Sequence, residues 1–406
     1  MKIVIAGGGA AGFFAAITCA ENNPEAEVII LERGKKVLEK VKISGGGRCN
    51  VTHACFDPRE LTNFYPRGSK ALLGPFHQFC TGDTVDWFEG RGVKTKIESD
   101  GRMFPITDDS QTIIDCLMTS ARSAGVRIIM QTRVEKITPP NLSNNKWQIE
   151  ISGGKNIQAD KLMIATGSNP KIWQLLKSIG HSIVQPVPSL FTFNIKDPRI
   201  EGLAGLAVKN VAVKISNSKL HTSGPLLITH WGMSGPGILK LSAWGARMLN
   251  EWNYKFQVII NWLGEQNTES VFQELQQLKQ QISGKQVIAN AQFQIPIRLW
   301  KRLIEASGVS DSIRWGDLSK KSINKIALQL TQCTFEVNGK STFKEEFVTA
   351  GGIELKEINF KRFESKIHKN LFFAGEVLNI DAVTGGFNFQ AAWTGGWIAG
   401  QSLAEV

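Results

Sequence analysis

The sequence predicts an α/β fold assembled from the two ends of the chain, with a differently patterned middle inserted between them. Three observations carry this prediction. Ile3 to Ala6 is an apolar run leading into six residues rich in glycine, and Asn370 to Gly375 repeats an apolar strand ending in glycine near the other terminus. Between them the pattern switches to period-two alternation and then to helical spacing. A chain of 406 residues suggests two or three domains. Its 42% hydrophobic and 20% charged residues exclude disordered, collagen-like and disulfide-scaffold classes. Gly, Lys, Asn or Pro interrupts every apolar run before the roughly 18 residues needed to cross a bilayer. The same interruption, at Gly7-Gly8-Gly9, argues against a secretory leader, and six cysteines without a Cys-x-x-Cys fit a reducing cytoplasm and no metal site.

The opening reads strand, tight turn, helix. Gly7, Gly9 and Gly12 fit G-x-G-x-x-G: Gly7 permits the turn, Gly9 admits a pyrophosphate to the backbone, and Gly12 lets the helix pack close to the strand. Ala10 and Ala11 fall in the first helical turn, where free N–H groups favour an anion. The next strand, Glu27 to Leu31, ends at Glu32 and Arg33, with Glu32 standing 20 residues after Gly12. An acid there binds both ribose hydroxyls and repels a 2'-phosphate. Together these features predict a dinucleotide site; the alternative is a glycine-rich turn that only permits close packing.

The rest of the chain selects FAD over NAD. Lys42-Ile43-Ser44-Gly45-Gly46-Gly47-Arg48-Cys49-Asn50 is a second glycine-rich loop able to bring main-chain N–H groups and one cation against a ligand, which an NAD-only domain does not need. A strand starting near Val126 and running through Ile137 would let the Val134 amide read an adenine edge. Lys161 to Gly167 is a buried strand ending in Thr166-Gly167. At the C-terminal end, Gly375 and Glu376 suit a polyol hydroxyl or a phosphate-bridging water. Gly385, Gly386, Phe387, Asn388 and Phe389 begin a helix whose positive end would stabilise charge on a reduced flavin.

These residues resemble bacterial FAD-dependent flavoproteins of the YhiN/BaiN type, which include a 3-oxo-Δ4 bile-acid reductase and aminoacetone oxidases. The resemblance rests on the opening fingerprint, on Ile43 to Thr52, on Thr229 to Pro236, on Val348 to Ile353, and on Phe373 to Glu376 together with Gly385 to Ala392. Departures are Ser168 in place of a second glycine, Asn379 for aspartate and Phe387 for tyrosine. The last removes a hydroxyl that could have donated a proton.

If both ends build one FAD site, residues 1–195 and 341–406 form a discontinuous Rossmann-like domain, 196–262 and 331–340 an inserted β-rich part, and 263–330 a helical subdomain. Ala207 to Ile215 alternates as a strand. Val271, Leu275, Leu278 and Ile282 share one helical face, and Ile323, Ile326, Ala327 and Leu330 another. The resemblance implies that the β-rich part is barrel-like and that the insertion covers the flavin.

A flavin carries its own electron chemistry, so few catalytic side chains are needed. Arg48 is a candidate to offset negative charge on phosphate or reduced flavin, and His230 to exchange a proton near neutral pH. Each has a structural alternative, a surface cation and a satisfied histidine. Trp231, Trp262, Trp300 and Trp315 read as core before they read as a substrate wall. Cys49 and Cys55 stand six apart, not the five of flavin disulfide reductases. The expected function is an FAD-dependent oxidoreductase, its flavin reduced by transient NAD(P)H and reoxidised by a small apolar enone-like substrate or another acceptor. The alternatives are a tRNA-modifying flavoprotein, for which the net charge of +11 would serve phosphate contacts, and a non-enzymatic flavin-binding sensor. Basic pairs such as Lys35-Lys36, Arg298/Lys301-Arg302 and Lys320-Lys321 form no dense block, which argues for a solvated surface and against a nucleic-acid partner. The patterning specifies no oligomeric state.

Overall fold

A computed structural model describes residues 1–142, 144–341 and 348–406. The chain packs as two units, one of Met1–Val187 with Val348–Val406 and one of Pro188–Phe347.

The first unit is built on a seven-stranded sheet. Five strands run parallel, in the order Leu371–Phe373, Lys161–Ile164, Lys2–Ala6, Glu27–Leu31 and Arg127–Ile129. The apolar runs at both chain ends form strands here because each is covered on both faces; Ile3, Val4, Ile5 and Leu371 to Phe373 are completely buried. The short strands Ile358–Asn359 and Glu364–Ser365 extend the sheet antiparallel at one edge. Helix Ala10–Asn22 lies along helix Phe387–Ala404, and small residues set their approach. A Cβ at Gly396 would stand 2.7 Å from the Ala11 carbonyl oxygen, and one at Gly400 2.7 Å from that of Ala15. The Asn23 amide donates to the Ala404 carbonyl at the far end (2.9 Å).

One sequence expectation fails in this unit. The strand expected from Val126 through Ile137 is two elements: Arg127–Ile129 in the parallel sheet, and Val134–Thr138 in a separate antiparallel sheet with Trp147–Ile151 and Lys155–Ala159. Gln131 breaks them apart with φ of 54°, a local turn that apolar periodicity does not register.

The second unit holds a seven-stranded antiparallel sheet, ordered Cys333–Asn338, Lys255–Asn261, Ala207–Ile215, His221–Thr229, Gly232–Ser234, Thr192–Asn194 and Lys340–Ser341. Alternation along Ala207–Ile215 buries Val211, Val213 and Ile215 while Lys214 faces out. Helices Thr268–Gln281, Ile297–Ala306 and Lys320–Thr331 add Leu275, Trp300, Leu303 and Ile326 to the same core.

Candidate functional site: a dinucleotide cradle closed by the last helix

The cradle starts where the first strand turns into the first helix. The Gly7 amide donates to the Leu31 carbonyl (2.8 Å), and the first intrahelical bond runs from Phe13 to Gly9 (3.0 Å). The amides of Ala10, Ala11 and Gly12 therefore precede the hydrogen-bond ladder, and Gly9 caps the helix with no side chain. The three glycines have separate causes. A Cβ at Gly12 would lie 2.0 Å from the Gly7 oxygen, and one at Gly7 2.4 Å from that of Ala165. At Gly9 a Cβ would meet nothing within 4 Å. Two glycines thus serve internal packing and one keeps an outer surface bare.

Glu32 accepts from the Gly8 amide through Oε2 (2.9 Å) and from the Gly34 amide through Oε1 (2.6 Å). A carboxylate offers about four acceptor sites, so two stay available to vicinal hydroxyls. Arg33 is exposed. Thr166 abuts Gly7, and its hydroxyl is buried without a hydrogen-bond partner among the described residues. Next to it, Gly167 (φ 64°) faces open space.

The second glycine loop ends helix Glu39–Gly47 with a left-handed turn, Gly45, Gly46 and Gly47 having φ of 58°, 70° and 88°. A side chain at Gly46 or Gly47 would meet nothing within 4 Å. Ser44 donates to the Val41 carbonyl (2.9 Å) and the Lys42 ammonium to Gln111 (2.8 Å), so both side chains are used within the protein. Arg48 stacks on Phe104 (3.9 Å to the ring centroid) and pairs with Glu98 (2.6 Å) and Asp108 (3.3 Å). The Arg48 charge is thus countered within the protein. Cys49 is fully buried, and burial pushes its thiol up to about 12, which disfavours the thiolate form.

The C-terminal residues meet this loop. Glu376 pairs with Lys40 (2.6 Å) and Gly375 adopts φ of 76° against Ala11. Gly386 caps the last helix without a side chain, which frees the amides of Phe387, Asn388 and Phe389. Several groups fix the direction of those amides. Asn50, with its oxygen toward the Gly386 amide (2.9 Å), donates to the Thr52 and Met103 carbonyls. Tyr65 donates to the Phe387 carbonyl (2.5 Å), Trp393 to that of Val51 (2.9 Å), and Thr52 to Gln390 (2.6 Å). His53 contacts the Gly385 carbonyl (3.1 Å), and Phe387 stacks on Phe64 (4.2 Å between centroids). Asn388 exchanges two bonds with the Ala382 backbone, and Phe389 stacks on Trp393. The fully buried Asp381 pairs with Arg67 behind this loop. Sequence reading gives a role to Asn50 but none to Thr52, His53, Tyr65, Arg67 or Asp381; only Thr52 and Gln390 lie in motifs that could have flagged them.

Val134 is buried at the start of its strand. In the second unit, His230 is exposed in the turn that follows Thr229, whose hydroxyl donates to Gly232. Trp262, Trp300 and Trp315 are core, whereas Trp231 is 57% exposed.

Bare glycines at 9, 46, 47 and 167, two uncapped helix starts, an orphan threonine hydroxyl and a ribose-type acid form a donor set that fits FAD. Comparisons with known proteins agree. Residues 1–402 match the HI0933-like protein Rossmann domain. The chain is 26% identical to the ribosomal RNA dihydrouridine synthase of Escherichia coli strain K12, covering 98% of this chain and 97% of that protein. It is 27% identical to the 3-dehydro-bile acid delta(4,6)-reductase of Clostridium scindens, covering 100% and 99%. Among solved structures, 3-ketosteroid-delta4-(5alpha)-dehydrogenase from Rhodococcus jostii RHA1 shares the fold, with a TM-score of 0.52 at 14% identity over 100% of this chain and 97% of that one. The chain belongs to the HI0933-like Rossmann family and is an FAD-dependent oxidoreductase.

Proposed function

We propose that this oxidoreductase adds two hydrogens across a carbon–carbon double bond conjugated with a carbonyl, using NAD(P)H as the transient source of reducing equivalents. The observation that carries the reading is chemical: a delta(4,6)-reductase and a dihydrouridine synthase, each similar over nearly the full chain, have names that describe this one reaction class on different substrates. FAD, when bound, supplies hydride chemistry; the protein supplies position, electrostatics and exclusion of water.

In this reading the amides of Ala10, Ala11 and Gly12 hold the pyrophosphate and Glu32 the adenosine ribose. The amides of Phe387 to Phe389 stabilise negative charge at the flavin end. Asn50 and Tyr65 act as positioning residues, because each bonds the backbone that carries those amides, and Thr52 anchors the Gln390 side chain in the first turn of the same helix. Reduction delivers hydride to the β-carbon and a proton to the α-carbon. Phe387 has no acidic hydrogen for that proton, so the donor is another residue or water, and His230 is the histidine to test.

Two substrate classes fit. One is the small apolar enone. The other is a uracil base within RNA, favoured by the charge of the second unit, where residues 188–347 hold 19 Lys and Arg against 12 Asp and Glu. The test is anaerobic stopped-flow reduction by NADH or NADPH, followed by mixing with a conjugated enone or with unmodified ribosomal RNA. The reading requires flavin reoxidation by one of them with formation of the saturated product. Reoxidation by oxygen alone would refute it.

A further inference from the structure

Two of the basic pairs that look scattered in the sequence are gathered by the fold. Arg298, Lys301 and Arg302 lie on helix Ile297–Ala306, and Lys320, Lys321 and Lys325 on helix Lys320–Thr331, and the two helices pack against each other. Their opposite faces, Leu299, Trp300, Leu303 and Ile304 on one helix and Ile323, Ile326, Ala327 and Leu330 on the other, are buried. All six cations are exposed. Arg302 pairs with Glu305 at 3.5 Å, while Lys301, Lys320, Lys321 and Lys325 have no acidic partner among the described residues.

This arrangement works against the stability of the unit. Like charges on neighbouring helices repel. Lys320 and Lys321 occupy the first turn of their helix, which contains no acidic residue, so two cations face the positive end of a helix dipole. Both terms change sign when a polyanion covers the surface. The ammonium groups then pair with phosphates, and the free N–H groups of the first turn add to the same field.

We infer that the paired helices Ile297–Ala306 and Lys320–Thr331 form a docking surface for the phosphodiester backbone of RNA. The inference rests on RNA being the substrate carrier; it adds where on the protein the RNA is held. Lysine and arginine contacts of this kind supply affinity and position without reading sequence. The surface would therefore bind structured RNA broadly, leaving the choice of base to the catalytic site.

The test uses full-length, FAD-loaded protein with a fluorescein-labelled ribosomal RNA hairpin, titrated across a salt series, and phosphatidylglycerol vesicles as the other polyanion. Two variants separate the helices: Arg298→Gln with Lys301→Gln, and Lys320→Gln with Lys321→Gln and Lys325→Gln. Each should weaken RNA binding about tenfold or more and flatten the slope of log affinity against log salt by about 0.7–0.9 for every phosphate that is no longer neutralised. Flavin content and reduction of a small enone should match the wild type. If wild-type protein binds the hairpin steeply but both variants match it, the surface is overturned while RNA remains the substrate. Absence of salt-dependent RNA binding by the wild type overturns both. Binding to vesicles with no binding to RNA also overturns the inference.

Discussion

Ion pairs are frequent in the first unit and sparse in the second, where, among the described residues, Arg199 pairs with Asp197 and Arg302 with Glu305. Lys2 pairs with Glu27, Arg67 with Asp381, Arg48 with Glu98 and Asp108, and Arg362 with Glu364 and Glu405. In residues 188–347, by contrast, Lys209, Lys214, Lys301 and Lys321 are exposed without an acidic partner among the described residues. The 19 cations and 12 acids of that stretch leave +7 of the net +11. The net charge is thus divided unevenly between the two units.

The comparison breaks most directly at Arg67. Arg67→Ala would remove the guanidinium that pairs with the fully buried Asp381 carboxylate. A loss of about 3–5 kcal/mol is expected in urea unfolding. A loss below about 1 kcal/mol would mean that the pair does not hold the loop before the last helix. Tryptophans give a parallel contrast inside the second unit. Trp300→Ala should cost about 3–5 kcal/mol because the ring is fully buried and its indole N–H donates to the Val287 carbonyl. Trp231→Ala, at an exposed turn, should stay within about 0.5 kcal/mol of wild type. Equal effects would contradict the core described for that unit.

Glycines of the first turn sharpen the account further. Gly12→Ala forces a methyl group against the Gly7 oxygen and should destabilise by about 1–3 kcal/mol. A Cβ at Gly9 would meet no protein atom within 4 Å, which makes Gly9→Val the milder change for the protein itself. It should leave the thermal midpoint nearly unchanged while the purified protein loses its flavin absorbance.

The smallest effect concerns pH. His181 is buried, with Nδ1 2.8 Å from Glu357 and Nε2 3.1 Å from Ser365. Burial lowers its pKa more than the Glu357 hydrogen bond raises it. The unfolded chain therefore binds more protons below the ordinary histidine value, and stability should decline as pH falls through about 6.5, by at most about 1.4 kcal/mol per pH unit. His181→Asn should flatten that slope below about pH 6.5; an unchanged slope would assign it to other groups.

What can be read from the sequence follows from how local each cause is. Gly9, Gly12 and Glu32 are legible because one strand, one turn and the next strand fix their contacts; Gly7 is legible from the same turn, although its nearest neighbour, Ala165, comes from a distant strand. The final helix start is legible from Gly385 and Gly386, but the distant residues that hold it, Asn50, His53 and Tyr65, are not read from that local pattern. The pairing of Arg67 with Asp381 is not, since 314 residues separate them and no periodicity links them. Arg48 stands out as a special cation, but Glu98 and Asp108, which counter it, come from loops 50 and 60 residues further along the chain. The extra turn at Gln131 is invisible because a single left-handed residue leaves the hydrophobic pattern unbroken.

Flavin content is the most direct measurement of the central claim. Purified protein should show a yellow flavin spectrum and, on denaturation, release about one FAD per chain, with Gly9→Val and Gly386→Val each abolishing it although they lie at opposite ends of the sequence. A colourless wild-type protein, or a Gly386→Val variant that keeps its full FAD while folded, would contradict a cradle shared by the two termini.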